Sequence, residues 1–272
     1  MSGDLTGKVA FVTGGTQGLG AAVATLFAER GAKGVVITGR NRDKGADMEA
    51  RLRDAGTDAR FVAADLGQLE DCRAAMAETR DRFGTVDILV NAAGNTKRGT
   101  IVDTTPERFD AIFAVNIKAP FFLTQDAVRM MIETGTQGSV VNILSTVIHC
   151  GQPFISAYSA SKAALANFTR NTAFALLRNR IRVNGLVIGW MNTPGEDAIQ
   201  KAYHGASEGW LDQAAANQPF GRLLDPAEVA RAVAFLAGPE SGMMTGALVD
   251  FDQTVLGGWE VQPAPSQALT VD

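Results

Sequence analysis

The sequence predicts an α/β fold, a doubly wound parallel sheet with helices on both faces, and three observations predict it. Short apolar runs recur along the 272 residues, each followed by a longer stretch of helical pattern. The runs are almost unbroken in apolar character, as strands buried on both faces are. A glycine-rich turn joins the first run to the first helical stretch. The length fits one domain, 1–272, with right-handed crossovers between strands.

The first strand is expected at 9–13. It runs into Thr13-Gly14-Gly15-Thr16-Gln17-Gly18-Leu19-Gly20 and a helix near 18–30. Gly14, Gly18 and Gly20 allow a tight turn, close backbone approach to a pyrophosphate, and close helix–strand packing. The helix N-terminus adds N–H groups and partial positive charge, so Thr16, Gln17 and Leu19 fall on a phosphate cradle. Loops hold glycine for many steric reasons, but this one follows a strand and opens a helix, the context of a dinucleotide site.

The second strand, 35–38, ends in Thr38-Gly39-Arg40 before a helix near 43–55. No acid is present there to accept from an adenosine ribose. Gly39 leaves room, and Arg40 offers a bidentate partner to a 2′-phosphate. The other reading makes Arg40 a solvated strand end, with Asn41 and backbone groups holding a plain ribose; the balance favours NADP over NAD. The third strand, 60–63, leads to Asp65 and Leu66, suited to the adenine edge, and a helix near 68–83 follows. The fourth, 88–92, leads to Asn91-Ala92-Ala93-Gly94, whose small side chains line a cofactor. Thr105-Pro106 then opens one long helix, 105–134.

The fifth strand, 139–144, ends at Ser145, and the helix after it, near 157–178, carries Tyr158-Ser-Ala-Ser-Lys162. The sixth strand, 182–188, is followed by a long insertion, 189–220, too apolar for disorder and placed where lids occur. Asp225-Pro226 opens the last helix, 226–237, and a seventh strand spans 247–251. The tail, 257–272, reads as a surface extension, with packing on a neighbouring subunit as one role.

Composition excludes several classes of function. The chain is 46% hydrophobic and 20% charged with a net charge of −4, which argues against nucleic acid and anionic membranes as partners. No charged-then-apolar secretory pattern precedes the first strand, and no apolar run approaches the ~20 residues of a membrane span. The two cysteines, Cys72 and Cys150, lack metal-type spacing and suggest a reducing compartment, the cytoplasm. The two histidines stand far apart with no Cys or carboxylate cluster, so no metal is expected.

A spacing of i, i+4 puts Tyr158 and Lys162 on one helix face. A nearby ammonium favours the phenolate and lowers a tyrosine from its reference near ~10 toward working pH, where a general acid/base belongs. Taken alone, the pair also fits an ordinary surface helix. Ser145, thirteen residues earlier, shifts the balance, because the carboxyl ends of parallel strands are where open α/β sheets bind ligands. Asn116, a poor residue for a helix interior, marks a bend or a water site near Lys162.

Together these residues resemble the short-chain dehydrogenase/reductase family. The shared set is the Gly14/Gly18/Gly20 turn, Asn91-Ala-Ala-Gly94, Asn116, Ser145, Tyr158-x-x-x-Lys162, Arg182-Val-Asn184, and Gly189 with Thr193-Pro194; it spans about residues 8–250. The resemblance implies a seven-stranded Rossmann sheet in the order 3-2-1-4-5-6-7 and a homotetramer or homodimer. It implies Tyr158 as acid/base and Lys162 as the residue that lowers its pKa and holds the nicotinamide ribose. Ser145 would orient the substrate oxygen, Asn116 would anchor a proton-relay water, and Thr193 would bond the carboxamide. Two places depart from the family. Ile188-Gly189 stands where Pro-Gly is common after the sixth strand, and Asp250-Phe251-Asp252 stands where Asp-Gly-Gly often ends the last one.

Candidate substrate residues fall in three loops: Asn95-Thr96-Lys97-Arg98, then His149, Gln152 and Phe154, then Trp190, Met191, Glu196, Tyr203, His204 and Trp210. Their polarity favours a sugar, polyol or sugar acid as the secondary alcohol or ketone. A 3-oxoacyl thioester reductase is the alternative enzyme, and a non-catalytic dinucleotide-binding sensor the alternative of another class.

Overall fold

The computed structural model describes residues 5–149 and 151–256; Cys150 and the 257–272 tail lie outside the described residues. Seven strands form one parallel sheet: β1 Val9–Val12, β2 Gly34–Gly39, β3 Asp58–Ala63, β4 Ile88–Asn91, β5 Ser139–Ser145, β6 Arg182–Ile188 and β7 Leu248–Phe251. Their order is β3-β2-β1-β4-β5-β6-β7. Strand order reverses between β1 and β4, and this switch point opens a crevice at the carboxyl ends of the strands.

Alternation along each strand sends neighbouring side chains to opposite faces. Ala10 and Val12 join the core beneath α1 (Gly18–Glu29) and α9 (Pro226–Ala237), where Val23, Phe27, Val229 and Val233 are fully buried. Phe11 points the other way, into the core beneath α3 (Leu69–Phe83) and α5 (Ala119–Thr134) with Cys72, Leu123 and Met131. Helix α2 (Arg42–Asp54) packs beside β3, and α6 (Ser156–Ala175) lies against β6. The central strands are largely apolar because both of their faces are covered, and the buried Asn91 of β4 and Asn142 of β5 are hydrogen-bonded to each other.

The expected caps form. Thr105 accepts from Arg108 N at the start of α4 (Pro106–Phe113), and Asp225 accepts from Ala227 N at α9. The expected single helix over 105–134 is interrupted. Residues 114–118 form a π-helical turn between α4 and α5, and Asn116 sits in it, completely buried. A π-turn widens the helix by one residue, and here the extra residue swings an amide inward toward the sheet edge.

The 189–220 insertion contains α7 (Pro194–His204) and α8 (Trp210–Ala216). Trp190 stacks on Trp210 at 5.9 Å, and Trp210 Nε1 donates to Asp197 Oδ1 at 2.8 Å. The ends of β6 and β7 meet at the cleft side of the sheet. A Cβ at 189 would stand 1.8 Å from Asp252 Oδ1, so Gly189, a residue shared with the family, leaves room for the Asp252 side chain just past β7.

Candidate active site

A cleft of about 1680 Å³ runs along the carboxyl ends of the strands, from the first glycine turn to the insertion. Its first wall is the 14–20 turn. A methyl group on Gly20 would lie 2.3 Å from Gly14 O, and Gly14 and Gly18 take positive φ of 66° and 56°. Helix α1 therefore packs hard against the strand. Its N-cap, Gln17, makes no side-chain cap, so the first N–H groups of the helix are left for another partner. A phosphate fits this cradle of uncapped donors and absent side chains.

At the end of β2 the room expected beside Gly39 is filled. A Cβ there would meet Thr16 Cγ2 at 2.6 Å, so Thr16 shuts out the acid that would accept from a ribose. Arg40, Asn41 and Lys44 line the cleft beside it, and Lys44 Nζ donates to Gln17 Oε1 at 2.8 Å. Lys44 escapes sequence reasoning, although it stands three residues past the Asn41 cap and so in the first turn of α2. Asp65 and Leu66 line the cleft as expected. Thr13 Oγ1 accepts from Ala92 N (2.9 Å) and Ala93 N (3.0 Å), pinning the β4 end to the glycine turn.

Asn91 does not line the cleft. It is buried beneath it, donating to Asn142 Oδ1 at 2.8 Å, while Asn142 donates to Thr169 Oγ1 at 2.9 Å. Its part is to tie β4 to β5 and α6. Asn116 is likewise committed. Its Oδ1 accepts from Asn95 N at 2.7 Å, and its Nδ2 donates to Asn95 O and to Ser161 Oγ, both at 3.0 Å. Both amide hydrogens are used, which leaves none for the water expected there. The π-turn side chain instead fastens the segment after β4 to α6.

Ser145, Tyr158 and Lys162 all line the cleft. Tyr158 is half-buried, and burial pushes its phenol up to about 12, with hydrogen bonding from Ser145 pulling the other way. The Glu196 carboxylate raises it further and Arg98 lowers it. The lowering expected from Lys162 is absent, and the lysine explains why. Lys162 Nζ is 5.9 Å from the Tyr158 ring centre, donates to Ile143 O at 2.7 Å, and is pushed down to about 8 by burial. It remains an ammonium at neutral pH and keeps two N–H donors for hydroxyls entering the cleft.

Among the expected substrate residues, Asn95, Gln152, Phe154, Trp190, Met191, Glu196 and His204 line the cleft, as do Thr96, Lys97 and Arg98. His149 does not. It turns to the β7 edge, with Nε2 3.4 Å from Asp250 Oδ1. Tyr203 and Trp210 also stand outside the lining, whereas Gln200, which the sequence did not single out, belongs to it. Ile188 and Thr193 line the cleft near the β6 end; Thr193 spends its hydroxyl as the N-cap of α7, accepting from Glu196 N at 3.1 Å. Among the described residues no group of three or more His, Cys, Asp or Glu is placed to hold a metal ion.

A family model described as enoyl-(acyl carrier protein) reductase matches residues 14–254. A solved structure of a short-chain dehydrogenase/reductase family protein is 37% identical, with a TM-score of 0.78, covering 92% of this chain and 97% of the other. The chain belongs to the short-chain dehydrogenase/reductase family. A NADP-dependent (R)-specific alcohol dehydrogenase of Lentilactobacillus kefiri is 35% identical over 265 residues, covering 96% of this chain and all of the relative. The structure of an L-sorbose reductase from Gluconobacter frateurii, complexed with NADPH and L-sorbose, has a TM-score of 0.87. It is 28% identical and covers 95% of this chain and all of that one.

Members of this family bind NAD or NADP, and the cradle built by Gly14, Gly18 and Gly20 fits such a dinucleotide. The chain is an NAD(P)-dependent oxidoreductase of the short-chain family. No described helix is long and apolar enough to cross a membrane.

Proposed function

We propose that the protein interconverts a secondary alcohol and a ketone, with a sugar, polyol or sugar acid as substrate and NADP preferred over NAD. The observation that carries this reading is the meeting of Ser145, Tyr158 and Lys162 in the cleft that the glycine turn opens. A nicotinamide dinucleotide, when bound, supplies or accepts the hydride. The protein's own residues handle the oxygen. Ser145 holds it, and Tyr158 gives its proton to the forming alkoxide or takes the proton from the alcohol. A phenol held high is a reluctant base, so positive charge beside it is needed for oxidation; Arg98 already lowers it, and the Lys162 ammonium stands 5.9 Å from its ring. Gly14, Gly18, Gly20, Thr16, Leu19, Asp65, Leu66, Ala92, Gly94 and Ile188 would line the dinucleotide, with Arg40 and Lys44 toward a 2′-phosphate.

A thioester reading draws on the description of the matching family model and on the size of the cleft. One assay separates the two. Reduced cofactor is followed at 340 nm with NADPH and NADH against ketoses, keto acids, simple ketones and acetoacetyl thioesters. The expected result is turnover of a hydroxylated ketone that falls by about 10²–10⁴-fold in Tyr158→Phe. Replacing Arg40 and Lys44 together by Gln should raise KM for NADPH roughly 10-fold and leave NADH unchanged, since only the phosphate loses its charged partners. Turnover of the thioester alone would move the substrate class. Cofactor binding with no carbonyl reduced would favour a dinucleotide sensor.

A further inference from the structure

The proposed chemistry uses Ser145, Tyr158 and Lys162 and leaves unexplained a charged pair where the insertion meets the segment after β4. Arg98 and Glu196, at the start of α7, both line the cleft, and their side chains are only 14% and 16% exposed. Ionised groups so far from water need a compensating arrangement. Glu196 Oε1 receives Gln200 Nε2 at 2.7 Å, Trp190 Nε1 at 2.9 Å and, at a long 3.5 Å, Arg98 Nη2. All three donors converge on one oxygen, and among the described residues Oε2 accepts no hydrogen bond. Arg98 spends Nε on His204 Nε2 at 3.1 Å and Nη1 on Thr96 O at 3.0 Å, with its guanidinium 5.7 Å from the Phe154 ring centre. Its least engaged corner, Nη2, makes only the long contact to Oε1 and so stands beside the carboxylate whose second oxygen is open.

We propose that Glu196 and Arg98 are the specificity pair of the cleft, reading a hydroxyl of an uncharged polyhydroxylated substrate and rejecting its carboxylate counterpart. This rests on the oxidoreductase reading above and narrows its substrate class to the uncharged sugar or polyol. A hydroxyl can donate to Glu196 Oε2 while accepting from Arg98 Nη2, which completes both groups at once. A carboxylate only accepts, and it would meet the Glu196 charge in a half-closed cleft where such repulsion is poorly screened. His204 adds no positive charge to offset it. His204 accepts the Arg98 Nε hydrogen through Nε2, so its ring is neutral with the hydrogen on Nδ1. Lys97 also lines the cleft but is exposed, where water screens its charge, and Asp110 faces the same space with the opposite sign. Both members of the pair line the same cleft as Ser145 and Tyr158, so a substrate bound at the Tyr158 hydroxyl shares its space with them. Trp190, fixed through Nε1, adds an apolar face of the kind that sugar rings pack on.

The test compares L-sorbose, 5-keto-D-gluconate (the same ketose skeleton with the far CH2OH replaced by a carboxylate) and cyclohexanone as oxidants of NADPH, in the wild-type protein, Glu196→Gln and Arg98→Gln. The wild-type protein should favour sorbose over the keto acid by 10-fold or more in kcat/KM. Glu196→Gln should narrow or invert that ratio, mainly by lowering KM for the keto acid, because Arg98 is then unopposed. Arg98→Gln should widen it, and dividing each rate by the same variant's rate on cyclohexanone, which meets neither group, removes the effect the pair has on Tyr158. A wild-type preference for the keto acid, or a ratio unmoved by Glu196→Gln, would overturn the pair's role while reduction of cyclohexanone upholds the oxidoreductase reading. Silence on all three ketones with NADPH bound overturns both.

Discussion

At the scale of single residues, the tension in this site lies in Lys162. An ammonium 4% exposed with one carbonyl partner is costly, and its pKa falls from the ordinary 10.5 to about 8. Between those values the unfolded chain carries a proton that the folded chain has released, so stability rises with pH across that window. Tyr158 works in the opposite sense, because its folded value lies above its ordinary 10.0, but it enters only above pH 10. Denaturant unfolding of the cofactor-free protein should therefore show stability climbing between pH 8 and 10 relative to Lys162→Met. The full effect over the window is about 3 kcal/mol. Parallel stability curves for the two proteins would show that the amine is solvated in solution and is not desolvated as its burial implies. The same balance bears on function. An amine on the edge of losing its proton is stabilised by anything that brings hydroxyls or negative charge, so substrate and cofactor should hold Lys162 in its charged form.

At the scale of elements, the π-turn at 114–118 is the piece whose purpose the sequence hides. Alternating apolar runs reveal seven strands, and proline after a capping residue reveals where α4 and α9 begin, because these signals are local. An inserted helical residue leaves no periodic mark when its cause is a contact 21 and 45 residues away, at Asn95 and Ser161. The same limit explains Asn91, His149 and Lys44. The Asn-Ala-Ala-Gly run marks the loop, but only the sheet register, which sets Asn91 beside Asn142, shows that its amide points into the core. Nothing local says that His149 turns to Asp250, or that α2 brings Lys44 to Gln17. Asn116→Ala leaves Asn95 N without its acceptor and Ser161 without its donor. A cost of about 1–3 kcal/mol is expected, which in a domain of this size lowers Tm by about 2–4 °C per kcal/mol. Thermal unfolding of Asn116→Ala, Ser161→Ala and the double variant measures it. The two losses should not add, since they remove one shared bond; strict additivity would mean that the turn is held by its backbone alone.

At the scale of the whole molecule, an aromatic surface runs along α4, α5 and α6. Phe109 stacks on Phe113 at 4.2 Å, and Phe121 meets Phe122 at 5.2 Å and Phe168 at 5.0 Å. Phe109 and Phe121 nonetheless remain 41% and 43% exposed. Rings that already touch one another yet stay open to water form the kind of contiguous apolar patch that monomers seldom leave uncovered. We infer a homodimer or homotetramer in which this surface is one interface. Rotational symmetry sharpens the test, because in a two-fold contact the same patch supplies both sides and one substitution acts twice. Light scattering on the wild-type protein should give two or four times the chain mass. Phe121→Glu should shift the mass to a smaller species, since two buried carboxylates would then face a surface with no partner for either. Circular dichroism should stay unchanged, because the ring is not part of the sheet-facing core. A wild-type monomer would remove the oligomer, and an unchanged mass in Phe121→Glu would move the interface away from these helices. The outcome also bears on the cleft. Asn116 fastens the turn between α4 and α5 to the segment that carries Arg98, so an interface across those helices would stiffen the substrate end of the site from behind.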